Sequence, residues 1–444
     1  MGRFARFRGV RSFLTLWTGQ AVSLLGSRMT NFAIMLWAWE ITEQASALSF
    51  LWFFIQVPQV LISPFAGAIV DRCDRKGLMI VGDAIAALST IALLILHSSG
   101  HLQIWHFYIT GAINGAFAQI QELAYSASVA LMVPKHQYSR ASSLEFFASY
   151  GSRILAPALA GSLYPFLGLT GIFALDLTTF AVAVTTVLWL SIPQPSRSQA
   201  EMDLGICHNM KFGFRYIAQR PNLRLFLIMA ALFQLIHDLG DAVYAPLILA
   251  RSGNDAAVFG AVGTAAGLGG VTGALVMMTW GGPKPRIHGV LLGIMGAGLS
   301  KTLFAFGQGL SLWLPMQFFS SLNFPLLGSS QQAIWLSKVP PEMQGRVFAA
   351  RWTTVQLASP VSFLIGGPLA DFVFEPALSP GGALAPILGP IFSTGTGSGM
   401  ALFYALTSVG LFSLGVIGYC LPSIRHVETL VPDRDAVVLA NSSR

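Results

Sequence analysis

Apolar stretches long enough to cross a bilayer follow one another along almost the whole of this chain. A transmembrane helix needs about 20 mostly apolar residues, and such stretches recur here with only short polar breaks. Of the 444 residues, 54% are hydrophobic and 10% are charged, against roughly 25% charged in a soluble domain. A soluble core cannot hide that much apolar surface, whereas a bilayer can. The expected fold is an all-α membrane protein with about twelve transmembrane helices in two pseudo-symmetric six-helix bundles.

The spans read as 12–39, 46–70, 77–97, 102–133, 138–167 and 169–191 in the first half. In the second they read as 222–250, 256–281, 286–308, 310–338, 344–374 and 398–421. The domain organisation is then an N-terminal bundle over 1–191, a linker over 192–221, a C-terminal bundle over 222–421 and a polar tail over 422–444. In the linker, Ile206, Met210, Phe214 and Ile217 share one helical face, with Lys211 and Arg215 elsewhere. That pattern predicts an amphipathic helix on the cytoplasmic leaflet. The Pro- and Gly-rich stretch 376–397 reads as irregular.

Lys and Arg set the orientation. One set of loops carries Arg3, Arg6, Arg8, Arg11, Arg72, Arg75, Lys76, Lys135, Arg140, Lys284, Arg286, Lys338 and Arg346, together with the basic residues of the linker and tail. The opposite loops carry Arg251 alone, with Glu40, Glu43, Asp255 and Glu375. Both termini are expected in the cytoplasm of a bacterium, with the chain in its cytoplasmic (inner) membrane. The net charge of +7 reads as topology, and no nucleic-acid partner is expected. Cys73, Cys207 and Cys420 lack metal-ligand spacing and give no disulfide framework. No cofactor is expected, and no arrangement of residues points to an enzyme. A Walker sequence is absent, so the energy for any transport would come from a gradient.

The chain repeats itself at an offset of 206 residues. Val133-Pro134 with Arg140 returns as Val339-Pro340 with Arg346, Gly67-Ala68 as Gly273-Ala274, and Gly161 with Leu163 as Gly367 with Leu369. Two halves related by an axis along the membrane normal would place a small-molecule substrate between them and move it by rocking.

The most specific motif is Gly67-Ala68-Ile69-Val70-Asp71-Arg72-Cys73-Asp74-Arg75-Lys76. It resembles the signature loop of the major facilitator superfamily, with Asp74 where that pattern usually has Gly, and its ending is similar to the macrolide-efflux and siderophore-exporter branch. Trp17, Gly19, Gln20, Ser23 and Gly26 resemble that branch's opening helix. Gly213-Phe214-Arg215-Tyr216 with Pro221, Leu223 and Arg224 resembles its central loop. The stretch from Arg153 through Leu155-Ala156-Pro157 to Gly161 resembles a degenerate antiporter motif, with Ala-Pro and a single Gly in place of Gly-Pro and paired Gly. What the resemblance implies is a drug:proton antiporter with protons as a further partner. Its gating residues would be Gly67, Asp71, Arg72, Arg75, Lys76, Arg140, Arg346 and Arg351. Gly67 would permit close helix approach. Asp71 would sit at the helix N-terminus near Gly345 and Arg346, where Arg75 would find acidic or carbonyl partners.

Charges inside spans are costly and face the bundle interior. By depth, Arg28, Glu122, Arg153, Asp238, Asp241 and Lys301 lie near the midplane, Glu145 and Arg351 shallower, and Asp83 near one face. Asp176 and Asp371 have no assignable partner. Asp238 and Asp241 are one turn apart beside His237, and two neighbouring carboxylates repel, which favours keeping one protonated. They lead the proton-coupling candidates, followed by Glu122 and Glu145. Arg28, Arg153, His237 and Asn323 are substrate-cavity candidates, and Glu122 is placed either to pair with Arg153 or to join the binding site. Glu145 and Arg351 are 206 apart with opposite charge, which predicts a bridge closing the cytoplasmic gate. Asn323-Phe324-Pro325 predicts a kink. The leading expectation is export of a bulky or amphipathic compound such as a drug, macrolide or siderophore, with multidrug resistance as a consequence. The alternatives are a lysolipid flippase or nutrient importer, and a non-transporting sensor or assembly factor. The sequence leaves any oligomeric partner open.

Overall fold

In the computed structural model, residues 2–133, 138–190 and 206–430 are described, and every regular element among them is helical. The first helices are α1 (Gly2–Thr42), α2 (Ala45–Arg72), α3 (Arg75–Ser98), α4 (Ile104–Met132) and α5 (Tyr138–Trp189). After α6 (Ile206–Ala218) come α7 (Pro221–Ser252), α8 (Ala256–Trp280), α9 (Ile287–Ala305) and α10 (Leu310–Lys338). The chain continues through α11 (Pro341–Gln356), α12 (Ala358–Leu369), a π-helical turn (Ala370–Phe374), α13 (Glu375–Leu378) and α14 (Ala385–Phe392) to α15 (Ser398–Cys420). Two short pieces follow, α16 (Pro422–Arg425) and α17 (Val427–Leu430).

The spans read from hydropathy fall on these helices, except that α1 begins ten residues before the first span and the span 344–374 is divided among α11, α12 and the π-helical turn. The fifth and sixth run on as α5, broken where the sequence placed the gap. Gly168 there has φ 59° and ψ −170°, a left-handed conformation that glycine adopts without strain. Large apolar side chains remain outward, such as Phe166 and Trp189 at 85% exposure; that surface suits lipid, not water.

The chain divides into two compact units, one of Met1–Glu43, Phe50–Ala200 and Asn254–Thr264, the other of Gln44–Ser49, Glu201–Gly253 and Ala265–Arg444. Unlike the predicted halves, the first turns of α2 belong to the second unit and those of α8 to the first.

In the first unit, Phe13, Leu16, Val70, Met79, Ile120, Met132 and Val187 form the core. Gly19 and Gly26 lie seven residues apart, on one face of α1. A Cβ on either would collide with Thr186 or Thr179 of α5, so small residues bring these helices together. Gly115 of α4 meets the carbonyl of Ile55 on α2 in the same way. Gly67 does not: a Cβ there would meet no described atom within 4 Å. The close approach expected of Gly67 is made by α4 instead.

The signature loop is a set of helix caps in this unit. Asp74 caps α3, accepting from the Gly77 N–H at 2.8 Å. Buried Arg75 donates to the Ala127 carbonyl near the end of α4 at 2.9 Å. Lys76 donates to Leu188 and Leu190 at 2.9 and 2.8 Å, at the end of α5. Cations at helix C-termini satisfy unpaired carbonyls and oppose the helix dipole. Arg75 thus finds a carbonyl partner within its own unit, on α4.

In the second unit Phe226, Leu291, Ile294, Ile334 and Trp335 anchor the core, with Phe226 and Trp335 stacked at 6.0 Å. Gly273 of α8 lies against the Leu322 carbonyl of α10, so the repeat glycine does here what Gly67 does not. Residues 206–218 of the linker form α6, whose packed side includes Ile217 of the predicted face but not Phe214. Gly213 lies against the Arg346 carbonyl of α11, and Tyr216 and Ile217 are buried, whereas Phe214 is exposed. The stretch read as irregular contains α14, and the first residues of the expected tail fold as α16 and α17, with Ile424 and Val427 buried. Arg251, the lone basic residue of its loops, donates to the carbonyls of Ala305, Gly307 and Phe392 at 3.2, 2.7 and 2.8 Å. Helix α10 continues through Pro325.

Candidate functional site

A line of ionisable side chains crosses the interior of the second unit. On α7, Gln234, Asp238 and Asp241 follow at intervals of four and three residues, the spacing of one helical face. His237 stands beside them. Its Nδ1 is 3.1 Å from Asp238 Oδ1 and its Nε2 is 3.3 Å from Lys301 Nζ on α9. The other Asp238 oxygen accepts from Gln234 Nε2 at 2.8 Å and from the hydroxyl of Ser359 on α12. Asp238 and Lys301 are both buried. Asp241 lies close enough to Lys301 to interact electrostatically.

Small residues permit this convergence. Gly240 of α7 lies against Thr407 of α15, Gly298 of α9 against Ser408 and Phe412 of α15, and Gly366 of α12 against Ala242 of α7. The Ser362 hydroxyl donates to the Leu235 carbonyl at 2.8 Å, fixing α12 on α7. Aromatic rings frame the ionisable line. Phe324 meets His237 edge-on at 5.1 Å, Phe233 lies 5.6 Å from His237, and the Tyr404 ring is 5.6 Å from Lys301 Nζ. Every buried charge in this set has an opposite charge or a donor beside it, as low-dielectric surroundings require.

Of the residues singled out by sequence, Asp238, Asp241 and His237 are brought together, but not as two carboxylates pressed on each other. Asp238 is surrounded by donors, and the positive charge of Lys301 interacts with both acids. Lys301 was legible as a charge within a span, though not as the partner of His237. Ser359 and Gln234 were missed; Gln234, four residues before Asp238, was the available signal.

The remaining candidates are dispersed. Glu122 and Arg153 are exposed and form no ion pair with each other. Arg28 lies near enough to Arg153 for mutual repulsion. Glu145 has Tyr125 as an electrostatic neighbour. Asn323 donates to its own helix at Phe319 with 2.7 Å. Arg346 sits over the Phe212 ring at 5.3 Å. Arg351 donates to Gln332 at 2.9 Å and lies 5.3 Å from the Trp335 ring. Arg72 is exposed. The side chains of Asp71 and Arg140 fall outside the described residues. Asp83, buried in the first unit, accepts from Gln20 at 3.2 Å and Gln121 at 2.6 Å. Among the described residues there is no group of three or more His, Cys, Asp or Glu able to hold a metal ion.

Comparison with known proteins agrees with this architecture. The model of the Major Facilitator Superfamily matches residues 16–363. Macrolide efflux protein A of Streptococcus pyogenes is 27% identical over 81% of this chain and 89% of its own length. The protein of the same name from Enterococcus faecalis is 26% identical over 69% and 95%. The multidrug efflux pump Tap of Mycolicibacterium fortuitum is 20% identical over 84% and 86%. Among solved structures, the nucleoside transporter NupG superposes with a TM-score of 0.67 at 11% identity, covering 91% of this chain and 98% of that one. A bacterial homologue of the lysosomal transporter Spinster gives 0.64 at 14%, covering 96% and 98%. These structural likenesses speak for the fold.

Proposed function

The chain belongs to the Major Facilitator Superfamily, and on that premise we propose that it exports a bulky or amphipathic small molecule in exchange for protons, with His237, Asp238 and Lys301 as the coupling group. It is an integral membrane transporter with efflux proteins among its relatives. Its expected home is the bacterial cytoplasmic membrane, with both termini inside. The substrate class proposed is the one those relatives' names carry, macrolides and other drugs.

The observation that carries the reading is the unbroken Asp238–His237–Lys301 line. Imidazole is suited to stand between an acid and an amine, since one ring nitrogen donates while the other accepts. With Lys301 protonated and Asp238 ionised, a neutral His237 donates from Nδ1 and accepts at Nε2. A proton arriving at Asp238 converts an acceptor of bonds from His237, Gln234 and Ser359 into a group that also donates. The hydrogen bonds between α7 and α12 must then rearrange. In this way proton loading at one carboxylate is linked to the packing of two helices, which is what coupling to alternating access requires. The aromatic frame of Phe233, Phe324 and Tyr404 offers an apolar wall to a substrate near the same charges.

The test is proton flux in inverted membrane vesicles carrying an imposed pH gradient and a pH-sensitive dye, with a panel of macrolides and siderophores. Substrate-dependent proton movement, lost in Asp238→Asn and His237→Gln, supports the reading. Movement that survives both changes but is lost in Glu122→Gln or Glu145→Gln assigns coupling to the first unit instead.

A further inference from the structure

In the second unit, beyond Lys301 toward the end that carries Arg251, polar atoms gather inside the bundle without partners. Asp241 and Tyr244 follow each other on α7 at the spacing of one helical face. The Tyr244 ring lies 6.3 Å from Tyr404 of α15 and 5.7 Å from Phe304 of α9. Phe304 in turn stacks on Trp313 of α10 at 5.9 Å. Trp313, Gln317, Ser320 and Phe324 recur at intervals of four, three and four residues, so they share one face of α10. That face runs from the aromatic cluster back to Phe324, the ring that meets His237.

These groups have more hydrogen-bonding capacity than partners. The hydroxyls of Tyr244, Tyr404 and Ser320, the Trp313 Nε1 and the Gln317 Oε1 are buried and make no hydrogen bond with a described residue. Tyr404, Trp313 and Ser320 are 1% exposed or less. Lys301 Nζ has three protons to donate, and His237 Nε2 is its one described partner. Asp241 makes no hydrogen bond or ion pair with a described residue, although its charge acts on Lys301, Tyr244 and Tyr404. No charged side chain lies on α12 or α15, and α10 carries one only at its far end, Lys338. Buried polar groups are as a rule hydrogen-bonded, and the exceptions call for an explanation. Donors and acceptors spread over four helices are bridged by a small molecule that both donates and accepts, and a buried water takes about two to four such partners. A bulky substrate does not suit the place, since Phe304, Trp313 and Tyr404 are fully buried against one another.

We propose that Asp241, Lys301, Tyr244, Tyr404, Gln317 and Ser320 bind a chain of ordered water that conducts protons between the Arg251 end of the second unit, extracytoplasmic by its loop charges, and the His237–Asp238 pair. The inference rests on the coupling role proposed for Asp238 and adds the route by which its proton arrives. A proton from that water enters Asp241. Lys301 passes a proton to His237 Nε2 as His237 Nδ1 gives one to Asp238, and the amine regains its proton from Asp241 through the bridging water. One proton has then moved from Asp241 to Asp238. Lys301 is again an ammonium, and His237 is neutral with its proton on Nε2. Tyr244, Tyr404, Gln317 and Ser320 are positioning residues that hold the water and keep their own protons.

Two measurements on the full-length protein test it. Radiolytic hydroxyl labelling of the purified protein in detergent, read by mass spectrometry, marks buried side chains that lie beside ordered water. Corrected for intrinsic reactivity, Tyr404 and Trp313 should label at least tenfold faster than Phe13, which is 3% exposed in the apolar core of the first unit. Labelling no faster than Phe13 would overturn the proposal, whatever the coupling site. In inverted vesicles, the double variant Tyr244→Phe with Tyr404→Phe removes two hydroxyls that no described residue binds. It should slow macrolide-dependent proton movement at least tenfold, with macrolide affinity unchanged and no fall in Tm. Unaltered proton movement in the double variant would overturn the water path even if the tyrosines label. Asp238→Asn separates the two readings. Movement lost in Asp238→Asn but unaltered in the tyrosine variant defeats the water path alone, and movement unaltered in both defeats the coupling role as well.

Discussion

Gly161 and Gly367 are separated by the 206-residue repeat, and each is the point where the start of another helix lies against bare backbone. At Gly161 of α5 the neighbour is α8: a Cβ would come within 2.6 Å of the Ala256 carbonyl and 3.0 Å of the Gly260 Cα. At Gly367 of α12 it is α2, with the Ser46 Cα 2.5 Å from such a Cβ. The first contact lies within the first unit and the second within the second. Overpacking a tight contact typically costs about 1–3 kcal/mol. Gly161→Ala and Gly367→Ala should therefore each lower the melting temperature of the purified protein. Gly67→Ala, which faces open space, should not lower it, because alanine is the better helix former by about 1 kcal/mol.

The repeat glycines show what could be read from the sequence and what could not. Helix positions follow from the lengths of apolar runs, and Gly168 marked its break because no other residue takes that backbone conformation easily. Matching glycines at one offset signalled equivalent places, and packing confirms that for Gly161 and Gly367. It does not do so for Gly67, since the glycine that admits α2 is Gly115 on the partner helix. Even the local cap made by Asp74 on the Gly77 N–H was not read from the sequence, where Asp74 stood out only as a departure from the family pattern. Arg75, Lys76, Arg251 and Asp371 bond to backbone groups far along the chain, and every residue has a backbone carbonyl or N–H, so no sequence pattern singles out the one chosen. The Lys301–His237 contact joins two helices whose faces hydropathy alone does not orient.

The signature loop should act on the stability of the first unit. Arg75→Met leaves the Ala127 carbonyl of α4 without its buried donor, a loss of about 1–3 kcal/mol. Thermal unfolding of Arg75→Met beside Arg75→Lys checks it. Both should melt lower than the unaltered protein, the lysine variant by less. An unchanged melting temperature in the methionine variant would remove the capping role.

Asp371 has a partner that its sequence position did not reveal. Its two oxygens accept from the N–H groups of Ala45 and Ser46 at 2.9 and 2.8 Å, at the start of α2. A carboxylate bonded to a helix N-terminus interacts favourably with its unpaired donors and dipole. Asp371→Ala should destabilise the second unit by about 1–2 kcal/mol. Hydrogen exchange should rise at Ala45 and Ser46 before it rises elsewhere in α2, and uniform exchange along the helix would argue against a local cap.

The coupling of Glu145 and Arg351 expected from their 206-residue offset has a direct genetic test. Each single charge reversal, Glu145→Arg or Arg351→Glu, should reduce drug efflux at least tenfold, and the double reversal should restore it. In its own unit Arg351 donates to Gln332. No recovery in the double variant would mean that the two residues act separately.

Substrate-induced proton release measures the coupling account most directly. Purified protein in a weakly buffered solution with an indicator dye would receive a macrolide that binds it, with binding followed in parallel. At a pH low enough to load Asp238, the account predicts proton release on macrolide binding, abolished by Asp238→Asn while binding persists, and retained in Glu122→Gln, because Asp238 is the group that takes up and gives back the proton at the end of the Lys301–His237 line. Undiminished release from Asp238→Asn, or binding with no release from the unaltered protein, would contradict it.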